Sequence, residues 1–243
     1  MIKFSIIIPC RDEEGNVEVI TKNILDNCKY KKEDYEIIFI NDFSSDQTVI
    51  KIQEIIKKNS NIIYFDNKKK GLGGAISLGL QKFQGNYVTI MMADSADDVD
   101  DLNSYFEIMD NNKEVDAVFG SRFIKGSETF NYPIIKLSFN RLGNYLTKLL
   151  FLSEYNDFTN SFKIYKKEVI NHLYPIVSEN FNIFLELPLK TISRGFSYKI
   201  IPIKYRNRQI GTAKFDVKEL GSSYIFTMLY CFLEKLLLKK KVK

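Results

Sequence analysis

The chain is short of the residues that build most metal and redox centres. Its 243 residues include one histidine and three cysteines. A lone His172 excludes a multi-histidine metal site and any mechanism that needs a second imidazole. Its setting, KKEVINHLYP, predicts a helix end or a surface position. Cys10, Cys28 and Cys231 are odd in number and far apart, with no CxxC, so no disulfide framework is expected and a reducing, cytoplasmic compartment fits best. A secretory leader is not expected either, because MIKFSIIIPCRDEE turns acidic at once without a small-residue cleavage pattern and reads as a first strand. The sequence has no helix-turn-helix, zinc-finger or RRM signature. The net charge of +5 owes much to the tail KLLLKKKVK, with five lysines, so nucleic acid is not an expected partner.

What is present is an alternating pattern. Hydrophobic residues make up 45% and charged residues 27%, ordinary for a soluble globular chain with one large core. Apolar, β-rich runs occur at FSIII (4–8), YEIIFI (35–40), NIIYF (61–65), NYVTIMM (86–92) and DAVFG (116–120). Between the first four lie NVEVITKNILDNC, QTVIKIQEIIKK and GAISLGLQKF, with apolar residues at helical spacing. Near-continuous apolar strands separated by helices predict an α/β fold, a mostly parallel sheet with helices on both faces. There is no internal repeat or linker. The expected division is one domain over 1–223, followed by a C-terminal helix and basic tail over 224–243.

The polar signals fall in one class of place. Pro9 to Glu14 follow the first strand, Asp42 and Ser44 the second, Lys68 to Gly74 the third, Asp94 to Asp98 the fourth, and Ser121 and Arg122 the fifth. In an open α/β sheet the ligand crevice forms at these carboxyl ends. The stretch MMADSADDVDD crowds five aspartates together, and two carboxylates about 4 Å apart repel by roughly 4 kcal/mol at an effective dielectric near 20. Asp100 and Asp101 read as the first turn of a helix, and Asp97 and Asp98 fit either that turn or a site. Asp94, delivered by a strand to the sheet rim, is the candidate cation ligand. KKKGLGGA lacks the P-loop spacing and follows the third strand, not the first. Gly71 and Gly73 could bring backbone N–H groups to a phosphate or sugar, or could serve a structural turn.

Taken in order, SIIIPCRDEEGN, EIIFINDFSSDQT, KGLGGAISLGL, MMADSADD and DAVFGSRFIKG resemble the family 2 glycosyltransferases, most closely the dolichyl-phosphate mannosyltransferase-like branch. The likeness continues through NRLGNYLTKLLF, YNDFTNSFKIYKKEVI, FNIFLELPLKTISRGFSYKIIPI and RNRQIGTAKF. It implies a GT-A-type domain holding a nucleotide-sugar, with Mg²⁺ or Mn²⁺ on the donor diphosphate. By that resemblance Pro9, Arg11, Glu13 and Asp42 belong to the donor site, with Gly71, Gly73 and Lys214. Asp94 matches the second acid of the family's Asp-x-Asp motif, with Asp97 or Asp98 as an accessory metal ligand. Arg122, Lys136 and Asn140 align with the acceptor-phosphate region, while Arg208 and Lys214 belong to a closing loop. Departures are Met92 at the first acid, Ala96 where an amide or hydroxyl is common, and Ala213 where serine is common.

The implied reaction is inverting transfer of a hexose to a polyprenyl phosphate or, in glycan synthesis, to a hydroxyl. A hydroxyl acceptor would need a base, for which Glu186 is the candidate; the alternative for Glu186 is a helix carboxylate paired with a nearby cation. A nucleotidyltransferase and a non-catalytic binding protein remain as competing classes. The last segment, YIFTMLYCFLEKLLLKKKVK, has an apolar stripe at helical spacing but is too short and too charged to span a bilayer. It is expected either to pack on the domain or to lie at the cytoplasmic membrane surface with its lysines near anionic headgroups.

Overall fold

The structure, a computed structural model, describes residues 2–130, 132, 134–206 and 217–237, those at 134–136 and 217–220 by backbone path only. The chain alternates β1 Phe4–Cys10, α1 Val17–Asn27, β2 Tyr35–Asn41, α2 Thr48–Lys58, β3 Ile62–Asp66, α3 Leu72–Lys82, β4 Tyr87–Ile90, α4 Val99–Asn111 and β5 Ala117–Ser121. Then follow β6 Glu128–Phe130, α5 Ile134–Phe151, β7 Lys163–Lys166, α6 Lys167–Leu173, α7 Ile183–Ser193, β8 Tyr198–Pro202, β9 Lys204–Arg206 and α8 Val217–Leu237. The five expected strands and the helices between them are all present. The terminal helix starts at Val217, before the expected boundary at 224.

The main sheet has seven strands in the order β3-β2-β1-β4-β7-β5-β8, with β7 antiparallel to both of its neighbours and the other pairings parallel. Every residue of β1 and β2 is buried, because helices cover both faces. The pleat divides them: Ile6 and Ile8 pack toward α1 and α4, whereas Ile7 packs toward α3 and α7. On the first face Phe4 stacks on Phe106 with ring centroids 3.9 Å apart. Short β6 and β9 pair in parallel beside the main sheet.

The order of strands fixes where a crevice opens. From β1 the chain runs outward through β2 to β3, then returns across to β4 on the other side of β1. The loops after β1, β2 and β4 therefore all leave the same carboxyl edge of three adjacent strands, the edge at which ligands bind in open α/β sheets. The β1–β4 register runs from Phe4 opposite Tyr87 to Ile7 opposite Ile90, so the segments that carry Arg11 and Asp94 leave neighbouring strands at one edge.

Candidate active site

Three loops meet at this edge, and each contains one non-glycine residue with left-handed φ: Asp12 at 52°, Phe43 at 59° and Ser95 at 56°. Such backbone is costly and persists where surroundings enforce it. For Asp12 the enforcing contacts are visible. Its N–H donates to Ser44 Oγ at 3.0 Å, and its Oδ1 accepts from Ser45 N–H at 2.7 Å. Glu13 N–H donates to Thr48 Oγ1 at 2.8 Å, so the loop that carries Arg11 and Glu13 is fastened to the start of α2. Held in this way, Arg11 buries its Nε with no acceptor among the described residues, and Ser95 Oγ is likewise buried and unpartnered. Buried donors of this kind are normally satisfied, so two of them at one edge mark where ligand atoms would complete the bonding.

The aspartate cluster divides by environment. Asp98 caps α4, accepting from Asp100 N–H at 2.8 Å, and Asp100 stands exposed in the first turn. Asp101 is buried and accepts from Lys204 N–H at 2.7 Å, which anchors β9. Asp94 stays half-buried at the rim, its Oδ1 accepting from Ala96 N–H at 3.2 Å. Behind it Asp97 is buried and accepts from Met92 N–H. Burial, followed by repulsion from Asp94, pushes the Asp97 carboxyl up to about 7. Arg206 N–H donates to Ala96 O, tying the end of β9 to the same loop. No group of three or more acidic, cysteine or histidine side chains that could hold a metal exists among the described residues. Asp94 and Asp97 alone therefore do not make a closed metal site.

Two expected placements are corrected. Gly71 and Gly73 do not cradle a phosphate. Gly73 N–H donates to Glu179 O at 2.9 Å, and a Cβ there would sit 2.3 Å from Ser178 O. The glycines exist so that the 178–180 loop can lie against the start of α3. Glu186 is not positioned as a base: it is wholly buried in α7, pairs with Lys190 at 2.6 Å and accepts from Val177 N–H and Ser178 N–H. Every acceptor direction it has is directed into structure. Asp42 is buried too, accepting from Asn67 Nδ2 at 2.8 Å and Gly71 N–H at 2.9 Å, which ties the end of β2 to the segment before α3.

Arg122 sits after β5 with its side chain only 6% exposed. Asp157 accepts from its Nε at 2.8 Å, its Nη2 at 2.6 Å and its backbone N–H. The rings of Phe123, Tyr132 and Tyr205 surround the guanidinium at 5.2–5.7 Å. Burial opposes the charge, but Asp157 outweighs it and raises the Arg122 pKa. The pair continues through Thr159 to Asn140, whose Oδ1 accepts from Thr159 Oγ1 at 2.9 Å and whose Nδ2 donates to Tyr132 Oη. Sequence reasoning missed Asp157, Thr159 and Asn144, although all three stand in motifs quoted for the resemblance; polar residues inside a helix or loop give no local sign of which arginine they meet. Pro9 lies in β1, while Arg208, Lys214 and the tail lie outside the described residues, as does the Lys136 side chain.

With this geometry in view, the comparison with known proteins decides the family. The sequence model of "Glycosyl transferase family 2" matches residues 5–174. The chain belongs to glycosyl transferase family 2. This family 2 protein is 28% identical over 225 residues to the dolichol-phosphate mannosyltransferase of Pyrococcus furiosus, covering 90% of the chain and 61% of the relative. The chain thus spans less than two thirds of that relative's length. It is 24% identical to the polyprenol monophosphomannose synthase of Mycolicibacterium smegmatis, over 86% of the chain and 79% of the relative. Among solved structures, glucosyl-3-phosphoglycerate synthase from Mycobacterium tuberculosis, in complex with Mn²⁺, UDP and glucosyl-3-phosphoglycerate, superposes with a TM-score of 0.70 at 15% identity, covering 94% of this chain and 79% of that one. That likeness establishes the GT-A-type fold.

Proposed function

We propose that this protein is an inverting glycosyltransferase that moves a hexose from a nucleotide-diphosphate donor to a polyprenyl phosphate. The observation that carries the donor side is the sharing of one sheet edge by Asp94, half-buried after β4, and Arg11, after the adjacent β1, whose Nε is buried with no acceptor among the described residues. Pro9, Glu13 and Asp42 line the same edge. The names of the two relatives, both acting on polyprenol or dolichol phosphates, support the acceptor class.

Asp94, with Asp97 behind it, would hold Mg²⁺ or Mn²⁺, in keeping with the structural neighbours that contain these ions with UDP. When bound, the ion offsets the negative charge of the departing nucleoside diphosphate. An acceptor phosphate oxygen attacks the anomeric carbon as the bond to the diphosphate oxygen breaks, with inversion. Because that oxygen is already anionic, no general base is required, and the burial of Glu186 in an ion pair agrees with this. The resemblance assigns Arg122 and Asn140 to the acceptor side; with Arg122 neutralised by Asp157 and Asn140 bonded to Tyr132 and Thr159, they would shape the wall beside the acceptor phosphate and not meet it as free donors. Arg208 and Lys214 would close over both substrates.

The test is incubation with a nucleotide-sugar panel, Mg²⁺ or Mn²⁺ and a short polyprenyl phosphate, with products identified by mass spectrometry. The expected products are a polyprenyl-phosphate sugar and a nucleoside diphosphate. In a parallel mix of nucleoside triphosphates and sugar 1-phosphates, release of inorganic diphosphate with formation of a nucleotide-sugar would instead mark a nucleotidyltransferase, and binding without turnover in either mix a binding protein. Asp94→Ala is expected to remove nearly all transfer while the far-ultraviolet spectrum is kept; activity equal to wild type at saturating metal would overturn the site.

A further inference from the structure

Eighteen large hydrophobic side chains are exposed among the described residues, and twelve of them lie on α5, just after it, or on α8. On α5 the exposed set includes Phe139, Leu142, Leu146 and Leu149, and on α8 Phe226, Leu229, Leu233 and Leu236, each at helical spacing. The two helices lie side by side: Thr147 Oγ1 is 3.7 Å from Met228 Sδ, the Phe151 and Phe232 ring centroids are 6.0 Å apart, and Lys235 Nζ donates to Phe151 O at 2.6 Å. These contacts advance together along both helices, so the pair runs parallel and its outward stripes form one platform. An apolar surface of this extent on a folded domain marks a contact site.

We infer that this α5–α8 platform docks flat on an anionic lipid bilayer, burying both stripes in the interfacial layer. Charge argues for that occupant. α5 contains no acidic residue, and the α8 acid within the apolar segment, Glu234, is ion-paired with Arg194. Arg141 is exposed beside the α5 stripe, and the residues after α8 are lysine-rich. Negative headgroups would meet positive charge at the rim of an apolar patch, the arrangement of interfacial helices. No helix among the described residues is long and apolar enough to cross a membrane, so the contact is a lateral one.

The inner face of α5 gives the platform a consequence. Asn140 and Asn144, on the same helix as the outward leucines, bond Thr159 and through it reach Arg122. Docking would therefore set the proposed acceptor-phosphate residues at a fixed height above the bilayer. That consequence rests on the lipid-acceptor reading; the docking itself does not.

The chain has no tryptophan, so a single one introduced is an unambiguous reporter. Leu149→Trp on α5 and Leu233→Trp on α8 are to be titrated with phosphatidylcholine vesicles, with and without phosphatidylglycerol, using brominated acyl chains as quenchers. The expected result is a blue shift and bromine quenching at both positions, stronger with phosphatidylglycerol. The double variant Leu142→Glu, Leu146→Glu is expected to partition at least about tenfold more weakly with an unchanged thermal midpoint. Quenching at Leu233→Trp alone, or at neither position, overturns the platform. So does a blue shift without vesicles accompanied by a doubled mass in sedimentation, which would assign the face to a second copy. Quenching at both sites in a protein that fails the transfer assay would defeat the lipid-acceptor reading alone.

Discussion

At the residue scale the carboxylates show how one side-chain type acquires different duties. Asp101 reads from sequence as a first-turn acid, yet its oxygen holds the Lys204 N–H at 2.7 Å and burial pushes its carboxyl up to about 6. Asp101→Ala is expected to lower stability by about 1–3 kcal/mol by stranding that N–H, with transfer per folded molecule retained. Urea unfolding beside a specific-activity measurement checks both parts. Glu186 is the sharper case. Removing it leaves the buried Lys190 without a counter-charge, held only by the Leu173 and Pro175 carbonyls, so Glu186→Ala is expected to cost about 3–5 kcal/mol. A catalytic base would behave differently, with Glu186→Gln losing kcat at unchanged stability.

At the scale of elements, the start of α3 is defined by absent side chains. Gly71 has φ of 129°, and a Cβ on Gly73 would meet Ser178 O at 2.3 Å, so neither position accepts alanine without moving the 178–180 loop. Gly73→Ala is expected to destabilise by at least about 2 kcal/mol. Gly143, inside α5, has ordinary helical backbone, and a methyl group added there would meet nothing within 4 Å. At that position alanine is expected to stabilise by about 0.5–1 kcal/mol, because only the conformational freedom of glycine is removed. Thermal midpoints of the two variants should therefore move in opposite directions.

At the scale of the whole molecule, buried charge links stability to pH. Lys163 begins β7 in the interior, where its Nζ donates to Phe158 O at 3.1 Å. Burial lowers its pKa to about 7, against the pull of Asp157, whereas the unfolded chain keeps the proton to about 10.5. Between these values the unfolded state binds more protons, so this group makes stability rise with pH, by up to about 1.4 kcal/mol per unit. Unfolding free energies measured from pH 7 to 9 are expected to climb for the wild type relative to Lys163→Met. A constant difference between the two would mean that the lysine stays charged inside.

The sequence by itself determined the local elements on the first half of the sheet. Runs such as YEIIFI and helices such as QTVIKIQEIIKK each carry their own periodicity, and the carboxyl-end loops stand out because polar residues interrupt apolar strands. Tertiary structure decided the rest. KIYK has no strand signal strong enough to stand alone, and it becomes β7 because it fills the space between β4 and β5, where Thr89 Oγ1 donates to Lys163 O across 74 residues of chain. The same distinction separates the acids. Asp94 and Glu186 each follow an apolar residue, and only the fold leaves one at a rim and encloses the other beside Lys190, because the cost of a charge depends on the dielectric and partners around it, which no local pattern records.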